Sequence, residues 1–482
     1  MTENLLVIIS DEHQAAALSC LGHFVKTPNL DRLAAKGTLF RRAYTPSPIC
    51  VPARASFATG HYPHKTRCWD NAMPYHGQWP SWGHALQRAG IDVESIGKLH
   101  YRSSDDDNGF DREFRPMNVV GGRGMVWASV REEDKRKQQP ADMRMLGKYI
   151  GPGTSTYTDY DDAMTAETCR WLKDRGASDR KAPWCLYVGL VAPHFPLVVP
   201  QEFYDLYDSM DLPAAKQSDL TATPRHPWVE KQNAFMDSDR KFKDDAERRS
   251  ATVAYWALVS YLDSNIGQIL DALEASGQAN NTSIIYSSDH GDNVGARRLW
   301  GKSNMYEESA AIPMIAVGQR YTAGKTCQTP VSLVDVSQTI VEHFGQKMPA
   351  SDLGAVPGAS LATIGAQDDD PSRVVFSEYH AAGAVSGAFM VTNGRWKYIH
   401  YEGFGPELFD LLRDPEELNN LARDPAHAAD VALMHAELLK ICDPVQVNKN
   451  AFDDQHTLIQ SYGGIDAAFK IGAPGATPPP KQ

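Results

Sequence analysis

Short apolar runs alternate along this 482-residue chain with segments of helical periodicity, and no other feature limits the possible folds as strongly. The clearest runs predict strands at Leu5–Ser10, Ile91–Ile96, Trp184–Leu190, Ser283–Ser288 and Ile312–Val317. The segments between them predict helices at Asn29–Lys36, Ser81–Arg88, Asp159–Leu172, Ala246–Ala275 and Val334–His343. Strands that alternate with helices are typical of an α/β fold, and we predict a large, mostly parallel sheet sandwiched by helices.

The pattern changes after about residue 366. Short runs separated by turn residues predict a small antiparallel sheet with strands at Val374–Tyr379, Gly387–Thr392, Trp396–Tyr401 and Glu407–Leu411, and a helix near Ala428–Ile441. We therefore predict an α/β catalytic domain (1–365), a small C-terminal α+β domain (366–445) and a C-terminal tail (446–482). Residues 101–156 and 200–245 are rich in charge, Gly and Pro, and we expect loops there.

Charge and cysteine content narrow the class of partner and the compartment. A net charge of −12 argues against nucleic acid or an anionic membrane surface as partner. A small anionic substrate is compatible with that charge if lysines, arginines and a metal gather locally in one pocket. The N-terminus lacks a basic n-region, and no apolar stretch is long enough to span a bilayer. The seven scattered cysteines suit reduced thiols, so we expect a cytoplasmic protein.

Polar side chains follow the predicted strands at the point where each strand ends. These are Asp11-Glu12-His13, Lys98 with His100, His194, and Asp289-His290. The carboxyl ends of parallel strands meet at one edge of a sheet, where α/β proteins build their sites. Any one of these residues could simply cap a turn, but four clusters together indicate a site. Asp11, Asp289 and His290 could bind a divalent cation, Lys98, Lys302 and Arg54 supply positive charge, and His100 and His194 can transfer protons.

The segment Cys50-Val51-Pro52-Ala53-Arg54 resembles the core motif of the type I, formylglycine-dependent sulfatases of the alkaline phosphatase superfamily. Ala53 and Ala58 replace the Ser and Leu that are common in that family, while Cys50, Pro52 and Arg54 are retained. Further segments resemble family landmarks in the family's order: Thr27–Asp31, Gly97–His100, Ala192–Pro196, Ser288–Gly291 followed by Lys302, and Glu407–Leu411.

This resemblance implies a role for each candidate residue. Cys50 would be converted to formylglycine and bridge metal and substrate, with Arg54 steadying it. The implied metal ligands are Asp11, Glu12, Cys50, Asp289 and His290, although the family more often has Asp at position 12 and Asn at position 290. Lys98, His100, His194 and Lys302 would surround the sulfate. The implied cofactor is one divalent cation, with Ca²⁺ the leading expectation and Mn²⁺ or Mg²⁺ as alternatives; the imidazole of His290 favours Mn²⁺.

Within the family, Trp69-Asp70-Asn71 and Ser377-Glu378-Tyr379-His380 resemble the cytosolic bacterial branch of arylsulfatases, choline sulfatases and phosphonate monoester hydrolases. Asn71 would then contact the substrate, and a turn-forming Asn is an equal alternative. The resemblance also implies a formylglycine-generating enzyme as maturation partner, and a homodimer or homotetramer to whose interface the tail contributes.

Three functions from two classes follow from these residues. The first is a sulfuric ester hydrolase acting on an aryl or small alkyl sulfate. The second is a phosphonate monoester or phosphodiester hydrolase with the same machinery, and the pair Lys98 and His100 favours sulfate over it. The third is a non-catalytic anion-binding protein with unmodified Cys50. Loop aromatic residues could also form a cage for a quaternary ammonium group, or simply pack: Trp69, Tyr75, Trp79, Trp127 and Tyr157.

Overall fold

A computed structural model describes residues 3–135, 144–179, 182–471 and 476–480. Its strands are β1 (Asn4–Asp11), β2 (Thr38–Phe40), β3 (Ala43–Tyr44), β4 (Asp92–Lys98), β5 (Arg112–Met117), β6 (Gly151–Pro152), β7 (Trp184–Pro193), β8 (Val198–Val199), β9 (Thr282–Ser288), β10 (Ala311–Ile312), β11 (Met314–Val317), β12 (Lys325–Cys327), β13 (Val331–Ser332), β14 (Val375–Tyr379), β15 (Ala388–Thr392), β16 (Trp396–Tyr401) and β17 (Glu407–Asp410). Its α-helices are α1 (Pro28–Lys36), α2 (Cys50–Thr59), α3 (Pro63–Thr66), α4 (Trp82–Arg88), α5 (Thr156–Ala177), α6 (Gln201–Tyr204), α7 (Pro227–Asn233), α8 (Asp245–Ala275), α9 (Glu307–Ala310), α10 (Leu333–His343), α11 (Leu361–Ala366), α12 (Ala428–Ile441), α13 (Pro444–Ser461) and α14 (Ile465–Ile471).

An eight-stranded sheet in the order β12-β2-β11-β9-β1-β7-β4-β5 forms the centre of the molecule. Strands β9, β1, β7, β4 and β5 are parallel, and β11 runs antiparallel to both of its neighbours. The predicted mostly parallel sheet is therefore confirmed. Strand β1 lies between β7 and β9, so the N-terminal segment occupies the middle of the sheet.

Both faces of β1 are buried, which explains why its sequence is apolar from Leu5 to Ile9. Successive side chains point to opposite faces of a strand. Leu6 and Ile8 pack in the core that includes residues of α1, α5 and α8. Leu5, Val7 and Ile9 pack in a second core with residues of α2, α4 and α10. The sheet thus has a helical layer on each face, as predicted.

One predicted strand is wrong as a single element. The run Ile312–Val317 is divided at Pro313 into β10, in a three-stranded sheet with β3 and β13, and β11, in the main sheet. Proline has no N–H to donate to a ladder, so the strand changes partner there. The two segments expected to be loops also contain regular structure, namely β5 and β6 within 101–156 and α6 and α7 within 200–245.

The C-terminal strands β14 to β17 form a four-stranded antiparallel sheet in sequential order, and α12 packs against β15 and β16. This confirms the small antiparallel sheet with its helix. The tail continues as α13, in which Ala451, Gln455 and Ile459 are buried against the same chain. Within the described part of the chain, no helix is both long enough and apolar enough to span a bilayer.

Candidate active site

The carboxyl ends of four parallel strands bring the predicted polar clusters together. Asp11 is the last residue of β1, Lys98 is the last residue of β4, His194 follows β7, and Asp289 follows β9. Because β9, β1, β7 and β4 are consecutive neighbours in the sheet, these residues line one edge. Parallel strand order therefore accounts for a site built from residues almost 280 positions apart.

Four buried side chains form a group of possible metal ligands at this edge: Asp11, Cys50, Asp289 and His290, with ligand atoms within 4.8 Å of one another. Cys50 Sγ lies 3.2 Å from His290 Nε2 and 3.6 Å from Asp11 Oδ1. His290 Nδ1 donates to the carbonyl oxygen of Gly291 at 3.1 Å, which leaves the lone pair of Nε2 directed into the group. The two carboxylates and the imidazole suit a divalent cation.

Cys50 is the first residue of α2, so the positive end of the helix dipole is directed at the site. All ten residues of α2 are buried, and Cys50 is 1% exposed. Burial, together with the nearby carboxylate of Asp11, raises the pKa of the Cys50 thiol to about 12. An unmodified thiol here is therefore protonated at neutral pH and a poor nucleophile.

Arg54 joins the buried ligands to the strands below them. Its Nε donates to Asp289 Oδ2 at 2.8 Å, and its Nη2 lies 3.4 Å from Asp11 Oδ2. Its Nη1 donates to the carbonyl oxygen of Lys98 and to the hydroxyl of Tyr187 at 2.9 and 2.8 Å. The guanidinium thus orients both carboxylates.

Cations gather at the site in spite of the negative net charge. Lys98 Nζ contacts Asp11 Oδ2, and Lys302 Nζ lies 3.2 Å from Glu12 Oε2. Burial alone would raise the pKa of Asp11, but Lys98, His194, Lys302 and Arg54 hold it well below its ordinary value. Asp11 is therefore ionised, as a metal ligand must be.

The two histidines are both buried and neutral. Burial lowers the pKa of each imidazole well below its ordinary value. A nearby ammonium group adds to this effect, from Lys302 beside His194 and from Lys98 beside His100. His194 Nδ1 donates to the carbonyl oxygen of Phe195 at 2.5 Å, and its Nε2 lies 3.4 Å from Glu12 Oε2. A neutral imidazole can accept a proton during a reaction.

Glu12 and Asn71 are placed differently from the four-ligand group. Glu12 lies outside that group and forms a second one with Asp11 and His194. Asn71 accepts a hydrogen bond from the backbone N–H of Val51 through Oδ1 at 3.2 Å, and it lines the cavity in front of Cys50. The same cavity is lined by Lys98, His100, His194 and Lys302.

The sequence reasoning missed several contributors to this cavity. Thr477 Oγ1 is 2.7 Å from His100 Nε2. The carbonyl oxygen of Thr477 accepts a hydrogen bond from the hydroxyl of Tyr157 at 2.6 Å. Apolar lining comes from Met125, Met145 and Met236. A Pro-rich tail and isolated methionines carry no periodic signal, so only the fold reveals them.

The open space in front of Cys50 is small, at about 50 Å³. A wider cavity of about 740 Å³ is lined instead by residues such as Trp256, Arg41 and Lys216. We assign the site to the smaller cavity because the ionisable groups converge there. None of the five candidate cage residues lines this cavity: Trp69 packs against His380, Tyr75 against Tyr101 and Trp127 against Phe235, while Tyr157 lies beside His194.

Comparison with known proteins matches the geometry. The sulfatase family model matches residues 3–346, and the C-terminal model of N-sulphoglucosamine sulphohydrolase matches residues 295–443. A choline-sulfatase of Rhizobium meliloti (strain 1021) is 31% identical over 453 residues, covering 90% of this chain and 85% of the relative. Arylsulfatase K of Xenopus laevis is 27% identical, covering 87% and 79%.

Among solved structures, a phosphonate monoester hydrolase of Agrobacterium radiobacter has the same fold, with a TM-score of 0.72, 23% identity, and coverage of 91% of this chain and 95% of that one. That likeness supports the fold alone. The family match spans the whole catalytic edge, from β1 through Lys302. On this evidence the chain belongs to the sulfatase family of the alkaline phosphatase superfamily and is a sulfatase enzyme.

Proposed function

We propose that this sulfatase hydrolyses small sulfate monoesters with a formylglycine at position 50 and one divalent cation. The observation that carries the proposal is the position of Cys50. It begins a buried helix, lies within 4 Å of Asp11 and His290, and faces a cavity lined by Lys98 and Lys302. Those lysines supply the local positive charge that an anionic ester needs.

The donors present fit a divalent cation. Asp11 and Asp289 offer oxygen, His290 offers Nε2, and the sulfur of Cys50 stands where an oxygen of formylglycine would be. The imidazole supports Mn²⁺, while the carboxylates suit Ca²⁺, Mg²⁺ and Mn²⁺ alike. When bound, the cation would bind sulfate oxygens and favour an ionised oxygen on the hydrated residue 50.

The chain's own residues would then handle charge and protons. Lys98 and Lys302 stabilise negative charge on the sulfate oxygens. His194 and Lys302 lie at the leaving oxygen, to which a proton must be delivered, and Lys302 is the donor because neutral His194 holds its proton at Nδ1. Surrounding anionic groups raise the pKa of Lys302 although burial opposes its charge, so Lys302 carries a proton. His100, held neutral, can accept a proton when sulfate is released.

Substrate choice belongs to the outer part of the cavity. The free amide nitrogen of Asn71 can donate to the ester, because Oδ1 already accepts from Val51. Three methionines and Phe195 form an apolar wall, which suits a compact organic group rather than a polysaccharide. The similarity to a choline-sulfatase supports a small alkyl sulfate as the first candidate.

Hydrolysis of phosphonate monoesters is the second candidate. The fold shared with a phosphonate monoester hydrolase supports it. Lys98 and His100 both line the cavity and favour the sulfate ester. A non-catalytic anion-binding protein is not the class to which this chain belongs.

Maturation, location and assembly complete the proposal. Formylglycine at position 50 requires a formylglycine-generating enzyme.

All seven cysteines are free, which supports a reducing compartment such as the cytoplasm. We retain a homodimer or homotetramer with the tail at its interface, and the exposed side chain of Phe452 on α13 supports that contact.

The decisive experiment compares Cys50→Ala with the wild type. We expect mass spectrometry of the wild-type peptide to show the mass loss of thiol-to-aldehyde conversion, and hydrolysis of 4-nitrophenyl sulfate and choline sulfate to disappear in the variant. Circular dichroism serves as the control for folding. Full activity in Cys50→Ala would overturn the proposal. If kcat/KM is higher for a matched phenylphosphonate ester than for the aryl sulfate, phosphonate monoester hydrolysis becomes the first candidate.

A further inference from the structure

Glu12 has an unusual backbone that is fixed from two sides. Its φ of 72° lies in the left-handed region, which costs a non-glycine residue roughly 1–2 kcal/mol. Its N–H donates to Asp289 Oδ1 at 3.3 Å, and its carbonyl oxygen accepts from the hydroxyl of Tyr255 at 2.8 Å. Strained residues that persist at a site indicate a functional constraint on the side chain.

The carboxylate of Glu12 contacts proton carriers rather than the four-ligand group. Glu12 Oε2 lies 3.2 Å from Lys302 Nζ and 3.4 Å from His194 Nε2. Glu12 Oε1 is buried, and the carboxyl group of Glu12 also interacts with that of Asp292. A Cβ at Gly301 would lie 3.3 Å from Oε1, so the glycine leaves room for the Glu12 side chain.

A second cation between Asp11, Glu12 and His194 would meet strong repulsion. Lys98 Nζ already contacts Asp11 Oδ2, and Lys302 Nζ lies 3.2 Å from Glu12 Oε2. An ion placed between these oxygens would have to displace both ammonium groups or bear their repulsion. Lys302 and His194, rather than a second cation, are therefore the neighbours of Glu12 Oε2.

We propose that Glu12 is a positioning residue for Lys302 and His194 and not a metal ligand. The inference rests on the proposed function, which assigns those two groups to the leaving oxygen. A lysine side chain has a long flexible stem, and one buried acceptor fixes its ammonium group. His194 donates to the carbonyl oxygen of Phe195 through Nδ1, and its Nε2 lies 3.4 Å from Glu12 Oε2, so contact with Glu12 limits the rotation of the ring.

The test uses the leaving-group dependence of kcat/KM in the full-length enzyme. Protonation matters more as the leaving alcohol becomes more basic, and general acid catalysis contributes about 10²–10⁴-fold. Glu12→Ala should lower kcat/KM for an alkyl sulfate about 100-fold, and for 4-nitrophenyl sulfate about 10-fold or less. Glu12→Gln keeps an oxygen acceptor of the same reach and should recover most of the loss.

Metal content separates positioning from ligation. Atomic emission should find one divalent ion per chain in Glu12→Ala and Glu12→Gln, as in the wild type, and a loss of that ion in the control Asp289→Ala. In a Lys302→Ala background, Glu12→Ala should have a much smaller effect on kcat/KM for the alkyl sulfate than it has in the wild type, because only its contact with His194 remains to be lost. Formylglycine content is measured in every sample so that activities are compared per converted chain.

Loss of the ion from either Glu12 variant would overturn the inference. An equal fall in kcat/KM for all leaving groups would overturn it as well. If Glu12→Ala does not fold, two measurements on Glu12→Gln test the inference instead. These are its metal content and its leaving-group series, each compared with and without Lys302→Ala. A converted wild type without sulfate ester turnover would refute the proposed function instead, and the metal measurement would still test the role of Glu12.

Discussion

At the scale of single residues, Arg54 shows how one side chain stabilises a site made of like charges. It is 2% exposed and contacts the carboxylates of two proposed metal ligands, a backbone carbonyl and a tyrosine hydroxyl. Without the guanidinium, the carboxylates of Asp11 and Asp289 would be buried with fewer hydrogen bonds and less positive charge to offset the free-energy cost of their desolvation. The planar guanidinium reaches all four acceptors at once, which an ammonium group cannot do.

We therefore expect Arg54→Met to lower the free energy of unfolding of the metal-free protein by about 3–5 kcal/mol. Arg54→Lys should recover only part of that loss. Urea denaturation measures both, with Arg102→Met as the control, because the Arg102–Asp106 pair is at the surface and should contribute at most about 1 kcal/mol. A loss in Arg54→Met no greater than in the control would contradict this role.

Glu407 predicts a pH dependence of stability. Burial, with a further contribution from nearby Glu417, raises the pKa of Glu407 to about 7, and the hydroxyls of Tyr306 and Tyr401 donate to its carboxyl group. Its pKa in the unfolded chain is about 4.3. Between these values the native state retains a proton that the unfolded state releases, so the free energy of unfolding falls as pH rises from about 4 to 7.

Glu407→Gln removes this titration and imitates the protonated acid. The free energy of unfolding of the variant minus that of the wild type should therefore be larger at pH 8 than at pH 5, by an amount on the order of 2 kcal/mol. Urea denaturation at the two pH values measures the difference. The exposed Glu202→Gln serves as control. A difference between Glu407→Gln and wild type that does not change with pH would refute the prediction.

At the scale of elements, helix α5 secures the end of strand β7. The buried carboxylate of Asp161 accepts from the N–H groups of Val191 and Ala192 at 2.7 to 3.0 Å, just before His194. Asp161→Ala would leave two buried donors unpaired, each costing about 1–3 kcal/mol. We expect a lower melting temperature and a lower kcat, whereas Asp174→Ala, at an exposed position of the same helix, should have a smaller effect on both. Equal effects would argue against this link.

The elements also show what could be predicted from the sequence. β1, β7 and β9 were predictable because strands buried along their whole length contain apolar runs, and β4 was predictable although Asp92 and Glu94 are only half-buried. The polar residues after these four strands located Asp11, Lys98, His194 and Asp289. β2 and β12 have three residues each, too few for a period to be detected. The direction of the Glu12 side chain depends on a backbone angle fixed by Tyr255, 243 positions away in the chain.

At the scale of the whole molecule, the C-terminal tail connects distant parts of the chain. Gln455 of α13 donates to Asp70 Oδ2 at 2.7 Å and to the carbonyl oxygen of His380 at 2.8 Å. Asp70 precedes Asn71, so α13 supports the loop that carries this candidate substrate contact. Ala476 and Thr477 then line the cavity in front of Cys50.

Removing residues 476–482 should therefore enlarge the cavity while α13 stays in place. We expect the ratio of kcat/KM for a bulky aryl sulfate over a small alkyl sulfate to rise about tenfold, since water-filled space replaces Thr477 and its contact with His100. Thr477→Val is the matched control, because it keeps the wall and removes only the hydroxyl. An unchanged ratio in the truncated enzyme would exclude the tail as a wall of the substrate site.

The order of strands in the sheet has a consequence for synthesis. β1 is made first, yet its neighbours β7 and β9 end at Pro193 and Ser288, so the ribosome must add 238 residues after Cys50 before both have been made. At about 5–20 residues per second, that interval lasts roughly 12–48 s. During it the segment around Cys50 has no completed core to enter, and afterwards α2 is sealed. An enzyme that modifies position 50 must therefore act before α2 is buried, and treatment of the folded protein with that enzyme should not raise the active fraction.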